Sequence, residues 1–313
     1  MPLSSLGNED NVIYIMSAIL GTLISLLYAL ISIQDKTPNP PTSFLPNPKT
    51  QPSKNAYELF VWKYTLIWIS CFGCIVVFQL YEQFESFHYN LVCIGLALPF
   101  LLQPILHPGV TTTDGGCSPD GKRRILERHS WKANLWIAIF SFIGNYWYTH
   151  YFYSVLKAKY TFLMNPMDRL NNVPIALYFA THFYFSTYHV LSNYCLRQVT
   201  SLYQPSLKRN ILFVGVILVL SYTTAFMETL TISSFPYYSF ENRFMAYTAG
   251  SAFYGIYFIV SFPMFYFLDE DVDRGCGIGV WRVVVESCGC GMIVLCFLDF
   301  VRLGLDIPLT IGK

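Results

Sequence analysis

The chain has 313 residues, of which 54% are hydrophobic and 12% are charged, and its formal net charge is +1. An ordinary soluble domain carries about 25% charged residues, so this composition, with a mean hydropathy of +0.41, indicates a membrane protein. The near-zero net charge argues against a nucleic-acid partner, which would require a basic face.

Eight apolar segments approach the length of about 20 residues that is needed to cross a bilayer. The first, Val12–Ile33, carries no charge and is predicted to be a retained membrane anchor. Residues 34–55 are rich in Pro, Asn, Ser and Thr, which predicts an extended or disordered linker. The other seven segments are Leu59–Tyr81, Tyr89–Leu106, Ala133–Leu156, Val173–Leu196, Ile211–Ser233, Met245–Leu268 and Val280–Val301.

These segments predict an all-α polytopic membrane protein with about eight transmembrane helices. Seven is the alternative, because Tyr89–Leu106 is short and contains Pro99 and Pro104. Residues 1–56 are predicted to form an anchor and linker, and residues 57–313 a multi-helix membrane domain. With eight spans, the loops after the first, third, fifth and seventh spans carry most of the Lys and Arg residues, which predicts lumenal termini.

Four ionisable side chains lie inside the apolar segments: His150, His182, His189 and Glu228. Such groups are costly in hydrocarbon, so they usually face a cavity and have a function there. His182 and His189 are two helical turns apart and share a face with Asn193. His150 lies near a segment end, where an interfacial or structural role is the alternative.

Polar residues mark further helical faces beside these ionisable groups. Asn134, Ser141, Asn145 and Thr149 form one stripe, and Glu228 has threonines one turn away on either side. With the face that carries His182 and His189, these make three polar helical faces, and three such faces can line one cavity. The alternative is that these side chains form hydrogen bonds between helices, as polar residues in membranes commonly do.

Several cofactor and metal motifs are missing from the sequence. The six histidines do not form the H-x-x-x-H clusters of membrane di-iron enzymes, and H-E-x-x-H, G-x-G-x-x-G and P-loop motifs do not occur. We therefore expect neither a metal nor a cofactor, which fits a redox-neutral reaction or no reaction at all.

Several runs of sequence occur in a fixed order along residues 57–305. The longest reaches from Lys132-Ala-Asn-Leu-Trp136 to Thr149-His150-Tyr-Phe152. Further runs, in order, are Tyr160-Thr-Phe162, Asn171-Asn-Val-Pro174, Thr181-His182, Tyr188-His189, Ser192-Asn193, Glu228-Thr229, Phe235-Pro-Tyr-Tyr238, Ile256 to Met264, Asp269-Glu270, and Asp299 with Arg302. Together these runs resemble the cycloeucalenol cycloisomerase family. The first 55 residues lie outside the resemblance.

The resemblance implies a multi-pass isomerase of the endoplasmic reticulum membrane that opens the 9β,19-cyclopropane ring of a cyclopropyl sterol without a cofactor. Such a reaction needs an acid and a base, for which Glu228 is the first candidate acid and His182 or His189 a proton acceptor. His150 is a further catalytic candidate. The candidate substrate-binding residues are Asn145, Tyr146, Trp147, Thr149, Tyr188, Asn193, Tyr237 and Tyr238.

Two other functions fit the same residues. One is a transporter or receptor for a sterol or another membrane lipid, in which the buried polar groups form a path. The other is a sterol Δ8–Δ7 isomerase, which also needs an acid and a base. A purely structural scaffold would leave Glu228 at mid-helix unexplained. Besides sterol and membrane lipid no partner is predicted, and the oligomeric state is left open.

Overall fold

A computed structural model describes residues 9–41, 43–155, 157–162, 165–234, 237–241, 250–275 and 277–309, and most of these residues are helical. The helices are α1 (Glu9–Ser32), α2 (Pro52–Val77), α3 (Ser86–Leu106), α4 (His129–Ile143), α5 (Thr149–Val155), α6 (Ile175–Leu202), α7 (Leu207–Ser234), α8 (Ser251–Tyr266) and α9 (Val280–Gly304). Strand β1 (Ala158–Tyr160) pairs antiparallel with β4 (Tyr238–Phe240), and β2 (Arg169–Leu170) with β3 (Val173–Pro174).

Four of the described helices are long and apolar enough to cross a membrane. They comprise α2, α3, residues Leu207–Thr231 of α7, and α9. Shorter apolar stretches occur in α1 (Met16–Ser32) and α8. A mostly helical membrane protein is therefore confirmed, whereas these four helices alone do not establish eight spans. The predicted span Met245–Leu268 begins outside the described residues.

Helix α6 occupies the centre of the bundle. It packs against α2, α3, α4, α7 and α8, while α9 packs against α4 and α8. The buried core is rich in aromatic side chains, among them Trp136, Phe140, Phe183 and Phe258. Because other helices surround α6, its polar side chains contact those helices rather than lipid. Helix α6 can therefore contain many polar residues although it lies inside a membrane protein.

Buried ion pairs join the loops at one end of the bundle, which we call the charged end. Arg197 on α6 forms two hydrogen bonds of 2.9 Å with the Glu58 carboxylate on α2. Lys132 pairs with Asp269, and Arg123 contacts Asp273 at 3.0 Å. The loops that the sequence predicts to share one side of the membrane therefore meet at this end.

The N-terminal segment is held against the rest of the protein. Helix α1 packs along α7, where Gly215 leaves room for Leu30; a Cβ there would lie 3.2 Å from Leu30 Cδ1. The linker lies against the charged end, since Asn55 donates to the Pro46 carbonyl and Gln51 to the Glu270 carboxylate, both in hydrogen bonds. The linker is thus fixed at several points along its length.

Candidate functional site

A π-helical turn, Gly144–Tyr148, joins α4 to α5 and begins the candidate site. The widened turn lets Asn145 and Thr149 both line a cavity. Asn145 Nδ2 donates hydrogen bonds to the Ser141 carbonyl at 2.9 Å and to Thr181 Oγ1 on α6 at 2.5 Å. Single π turns inside α-helices occur often at functional sites, where they redirect side chains.

Close contact with α9 holds this turn in place. Tyr148 Oη donates to the Gly291 carbonyl at 3.2 Å, and Gly291 allows the close approach because it has no Cβ. A Cβ at that position would lie 2.7 Å from Ile143 Cδ1. The position of Asn145 therefore depends on a contact with a helix that does not itself line the cavity.

The cavity has a volume of about 330 Å³ and is lined by residues of α2, α3, α6, α7 and α8 together with β1 and β4. This volume lies within the range of small-molecule sites. Its walls are largely apolar and aromatic. Among the described residues, eight tyrosines line it: Tyr81, Tyr89, Tyr160, Tyr184, Tyr188, Tyr238, Tyr254 and Tyr257.

Glu228 of α7 is the one carboxyl or imidazole among the described residues that line the cavity. Tyr254 Oη on α8 donates a hydrogen bond of 2.8 Å to Glu228 Oε1. Oε2 is buried, and among the described residues it has no hydrogen-bond partner. The carboxyl also lies within electrostatic range of Tyr188 and Tyr257. A carboxyl in such surroundings is chemically able to donate a proton into the cavity.

His189 lies in a layer of aromatic rings between the cavity and the charged end. Its Nδ1 contacts the Phe185 carbonyl at 2.7 Å, so Nδ1 carries the proton, and Nε2 accepts from Ser261 Oγ at 2.9 Å. Both nitrogens of a neutral imidazole are thereby satisfied. The surrounding rings belong to Trp136, Phe140, Phe185, Phe258, Phe262 and Phe265.

The other two histidines also lie away from the cavity lining. His182 Nε2 donates to Asn134 Oδ1 on α4 at 3.0 Å. His150 Nε2 is 3.4 Å from Asn171 Nδ2, and its ring packs against Trp147. The structure therefore does not bring the three histidines together with Glu228 at one surface.

The predicted binding residues separate into two groups. Asn145, Thr149, Tyr188 and Tyr238 line the cavity. The others do not: Tyr146 stacks on Phe142, Trp147 is 49% exposed, Tyr237 packs on Phe162, and Asn193 donates to Glu58 at the charged end. Phe235 and Pro236, which precede Tyr237 in one of the runs that carry the resemblance, lie outside the described residues.

Sequence reasoning missed several cavity residues, above all Tyr254 and Tyr257 of α8. The signal that could have found them is their spacing of three residues, which places both on one helical face. Thr181, Tyr160 and Tyr184 were missed as well. A tyrosine in an apolar helix is common at a membrane interface, so residue type alone did not distinguish these from interfacial anchors.

Comparison with known proteins supplies independent information. Neither a family model nor a solved structure matches this chain. A curated protein of Arabidopsis thaliana, cycloeucalenol cycloisomerase, is 40% identical to it over 267 residues. The match covers 84% of this chain and 91% of that protein. The chain therefore belongs to the cycloeucalenol cycloisomerase family of isomerases.

Proposed function

We propose that this protein opens the 9β,19-cyclopropane ring of a cyclopropyl sterol and so converts cycloeucalenol to obtusifoliol. The family membership supports the reaction class, because the Arabidopsis relative is named for this substrate and for cycloisomerisation. The observation that carries the proposal is Glu228, a carboxyl with one oxygen unpartnered among the described residues. It lines a largely apolar cavity rich in tyrosines, and such a lining suits a flat, apolar ligand.

The reaction is a redox-neutral rearrangement of one molecule. A proton adds to the cyclopropane methylene carbon, C19, and the C9–C19 bond breaks, so that C19 becomes a methyl group. The resulting positive charge develops at C9. Loss of a proton from C8 then forms the C8–C9 double bond, which returns the proton and leaves the molecular formula unchanged.

Glu228 is the proposed general acid. An apolar site desolvates a carboxylate more than a neutral carboxyl, and this favours the protonated form that the reaction needs. The hydrogen bond from Tyr254 occupies Oε1 as an acceptor. The proton of a neutral carboxyl then belongs on Oε2, which is the oxygen without a partner among the described residues.

Tyrosine faces are the proposed stabilisers of the cation at C9. An aromatic ring presents a negative face, and a cation within about 6 Å of its centroid is attracted to it. Tyr254 and Tyr257 have ring centroids 4.4 Å apart and line the wall beside Glu228. Their position supports stabilisation of charge that develops close to the acid, while the apolar lining excludes water.

We propose Glu228 also as the acceptor of the C8 proton. C19 and C8 are both bonded to C9, so a carboxylate that has just protonated C19 is close to C8. No second carboxyl or imidazole lines the cavity among the described residues. A histidine as the acceptor of the C8 proton, either His182 or His189 with His150 as a further candidate, stays a prediction. An isotope experiment distinguishes acceptance by Glu228 from acceptance by a histidine.

Asn145, Thr149 and Thr181 are the proposed binding site for the sterol hydroxyl. They form the polar cluster at the π-helical turn, and Asn145 joins it to α6. Tyr188 and Tyr238 then form aromatic walls of the cavity. The other predicted binding residues would act indirectly, by holding in place the helices and side chains that line the cavity. They are Tyr146, Trp147, Asn193 and Tyr237.

We further propose a multi-pass location in the endoplasmic reticulum membrane, with about eight spans and lumenal termini. The four long apolar helices support the membrane location. The meeting of the basic loops at one end supports the orientation, because such loops are typically cytoplasmic. Residues 1–56 would act as an anchor and linker for the catalytic domain, residues 57–313.

A closed end of the cavity favours an enzyme over a transporter. The aromatic layer around His189 separates the cavity from the charged end, and the ion pairs of that end lie beyond it. Transport needs alternating access from two sides of a site. A cavity that is closed toward the charged end lacks such a second route, which supports an enzyme that binds its substrate and releases its product on the same side.

The test uses microsomes from a host without cyclopropyl sterols that expresses this chain. They receive cycloeucalenol, and the sterols are identified by mass spectrometry and NMR. We expect obtusifoliol. Unchanged cycloeucalenol, with the protein shown to be inserted and folded, would contradict the proposal. Conversion of a Δ8 sterol to a Δ7 sterol instead would indicate the double-bond isomerase.

A further inference from the structure

The second half of α2 is splayed away from the bundle. In α2, all of which the structure describes, no residue after Trp68 is buried. Val76 is 53% exposed and Val77 is 74% exposed. Val76 nevertheless lines the cavity, together with Phe72 and Ile75 one turn before it. This half of α2 is therefore a thin wall with the cavity on one side and the surroundings on the other.

Helix α7 provides a similar edge. Met227 is 53% exposed and yet lines the cavity, as does the exposed Thr231 one turn later. The two residues lie on one side of α7, where Thr231 Oγ1 donates to the Met227 carbonyl at 2.8 Å. Glu228, next to Met227, is thus one residue away from the outer surface of the protein.

The two edges lie toward the same end of the bundle. Helices α2 and α7 both begin near the charged end, because Lys54 pairs with Glu270 and Gln34 donates to the Lys208 carbonyl there. Val76 lies at the last turn of α2, and Met227 about 10 Å before the end of α7, at 1.5 Å per residue. Both positions are within apolar segments long enough to cross a bilayer.

We propose that the sterol enters and leaves the cavity sideways from the lipid, through an opening between Val76 of α2 and Met227 of α7, here called the α2–α7 portal. The inference rests on the proposed function and adds a route to it. A sterol is dissolved in the bilayer, and a route through lipid avoids exposing its apolar surface to water. Among the residues that the structure describes, the charged end offers no comparable entrance, since buried ion pairs and the aromatic layer around His189 close it.

The portal makes Val76 and Met227 gatekeepers for substrate rather than catalytic residues. A larger side chain at either position would obstruct the opening but would leave the Glu228 carboxyl and the donor Tyr254 in the chain. A smaller one would widen it. The same substitutions at exposed apolar residues of these helices that do not line the cavity should leave substrate entry unchanged. Val77 of α2 and Leu218 of α7, which is 45% exposed, are such controls.

The experiment measures turnover in phospholipid nanodiscs with cycloeucalenol supplied from donor vesicles. For Val76→Trp and Met227→Trp we expect kcat/KM to fall about tenfold or more. We expect kcat at saturation to fall by a smaller factor, because obstruction lowers kcat only to the extent that product release limits it. Met227→Ala is expected to raise kcat/KM or leave it unchanged. Val77→Trp and Leu218→Trp are expected to behave as the wild-type protein. Equal effects of cavity-lining and control substitutions would overturn the portal.

A binding measurement separates this proposal from the proposed function. The association rate of radiolabelled cycloeucalenol is measured in a Glu228→Gln background, with and without the tryptophan substitutions, and the same slowing of about tenfold is expected. If the wild-type protein binds the sterol but does not convert it, the proposed function fails and the association rates still decide the portal. If it binds no cyclopropyl sterol, both proposals are wrong.

Discussion

Tyr254 on α8 donates a hydrogen bond of 2.8 Å to the carboxyl of Glu228 on α7. The bond joins two helices that pack along each other and that both line the cavity. It restricts the rotation of the carboxyl and occupies one oxygen. The other oxygen is buried and has no partner among the described residues.

Replacement of the proposed acid is the most direct prediction. Glu228→Gln keeps the shape of the side chain and the bond from Tyr254 but removes the acidic proton. We expect turnover of cycloeucalenol to fall about 10²–10⁴-fold, the usual contribution of a general acid. Membrane insertion and thermal stability should change little. Turnover within tenfold of the wild-type rate would remove Glu228 from the acid role.

Tyr254 is expected to act as a positioning residue. Tyr254→Phe keeps the aromatic ring and removes one hydrogen bond, which is worth about 1.4 kcal/mol, or about tenfold in rate. We expect kcat to fall by this factor with KM almost unchanged. Tyr64→Phe is the matched control, because Tyr64 is buried, does not line the cavity and donates to the Leu96 carbonyl at 3.0 Å, so its loss should affect stability more than kcat. An equal effect on kcat in both variants would contradict the positioning role.

An isotope experiment tests whether one carboxyl both gives and takes the proton. Cycloeucalenol deuterated at C8 is converted in ordinary water. If Glu228 takes the C8 deuteron and passes it to the next substrate before exchange with water, part of the product carries deuterium in its C19 methyl group. We expect such transfer because the cavity is largely apolar and Glu228 Oε2 is buried. A product without deuterium at C19 would favour relay through a histidine to solvent.

The roles of the histidines can be separated by measuring stability together with turnover. His189→Ala removes the bond to Ser261 and leaves a void among six aromatic rings, so we expect a loss of about 2–5 kcal/mol in the free energy of unfolding. Turnover per folded molecule should stay within a few fold. Because Ser261→Ala removes the same bond, the two stability losses should be less than additive. A 10²–10⁴-fold loss of turnover in His189→Ala or His182→Ala would instead support proton transfer.

The ion pair of the charged end is expected to matter for stability. Glu58→Gln leaves the guanidinium of Arg197, whose side chain is 13% exposed, without a counter-charge, and the expected cost is about 3–5 kcal/mol. The control is Glu286→Gln, which breaks a 2.7 Å pair with Arg282, whose side chain is 67% exposed. That pair should contribute about 1 kcal/mol or less. Thermal unfolding in detergent checks both, and equal losses would contradict the argument from burial.

Several features of this protein followed from the sequence alone. The apolar segments predicted a helical membrane protein, and they did so because a bilayer requires long uncharged helices. Glu228 was predicted to face a cavity because a carboxyl at mid-helix is costly in hydrocarbon, and it does line one, whereas its catalytic role stays a prediction. Asn145 and Thr149 were predicted from their spacing, and both line the cavity. The family was predicted from runs of matching residues, and the relative confirms it.

The tertiary structure alone decided which of these residues meet. Helical periodicity places His182 and His189 on one face, but it does not say which neighbour that face packs against. The partner of His189 is Ser261, 72 residues away, and that of His182 is Asn134, 48 residues away. Tyr254 and Tyr257 join Glu228 because α7 and α8 pack side by side. Local spacing sets the face of a helix, whereas the depth and the partners of that face depend on how distant segments pack.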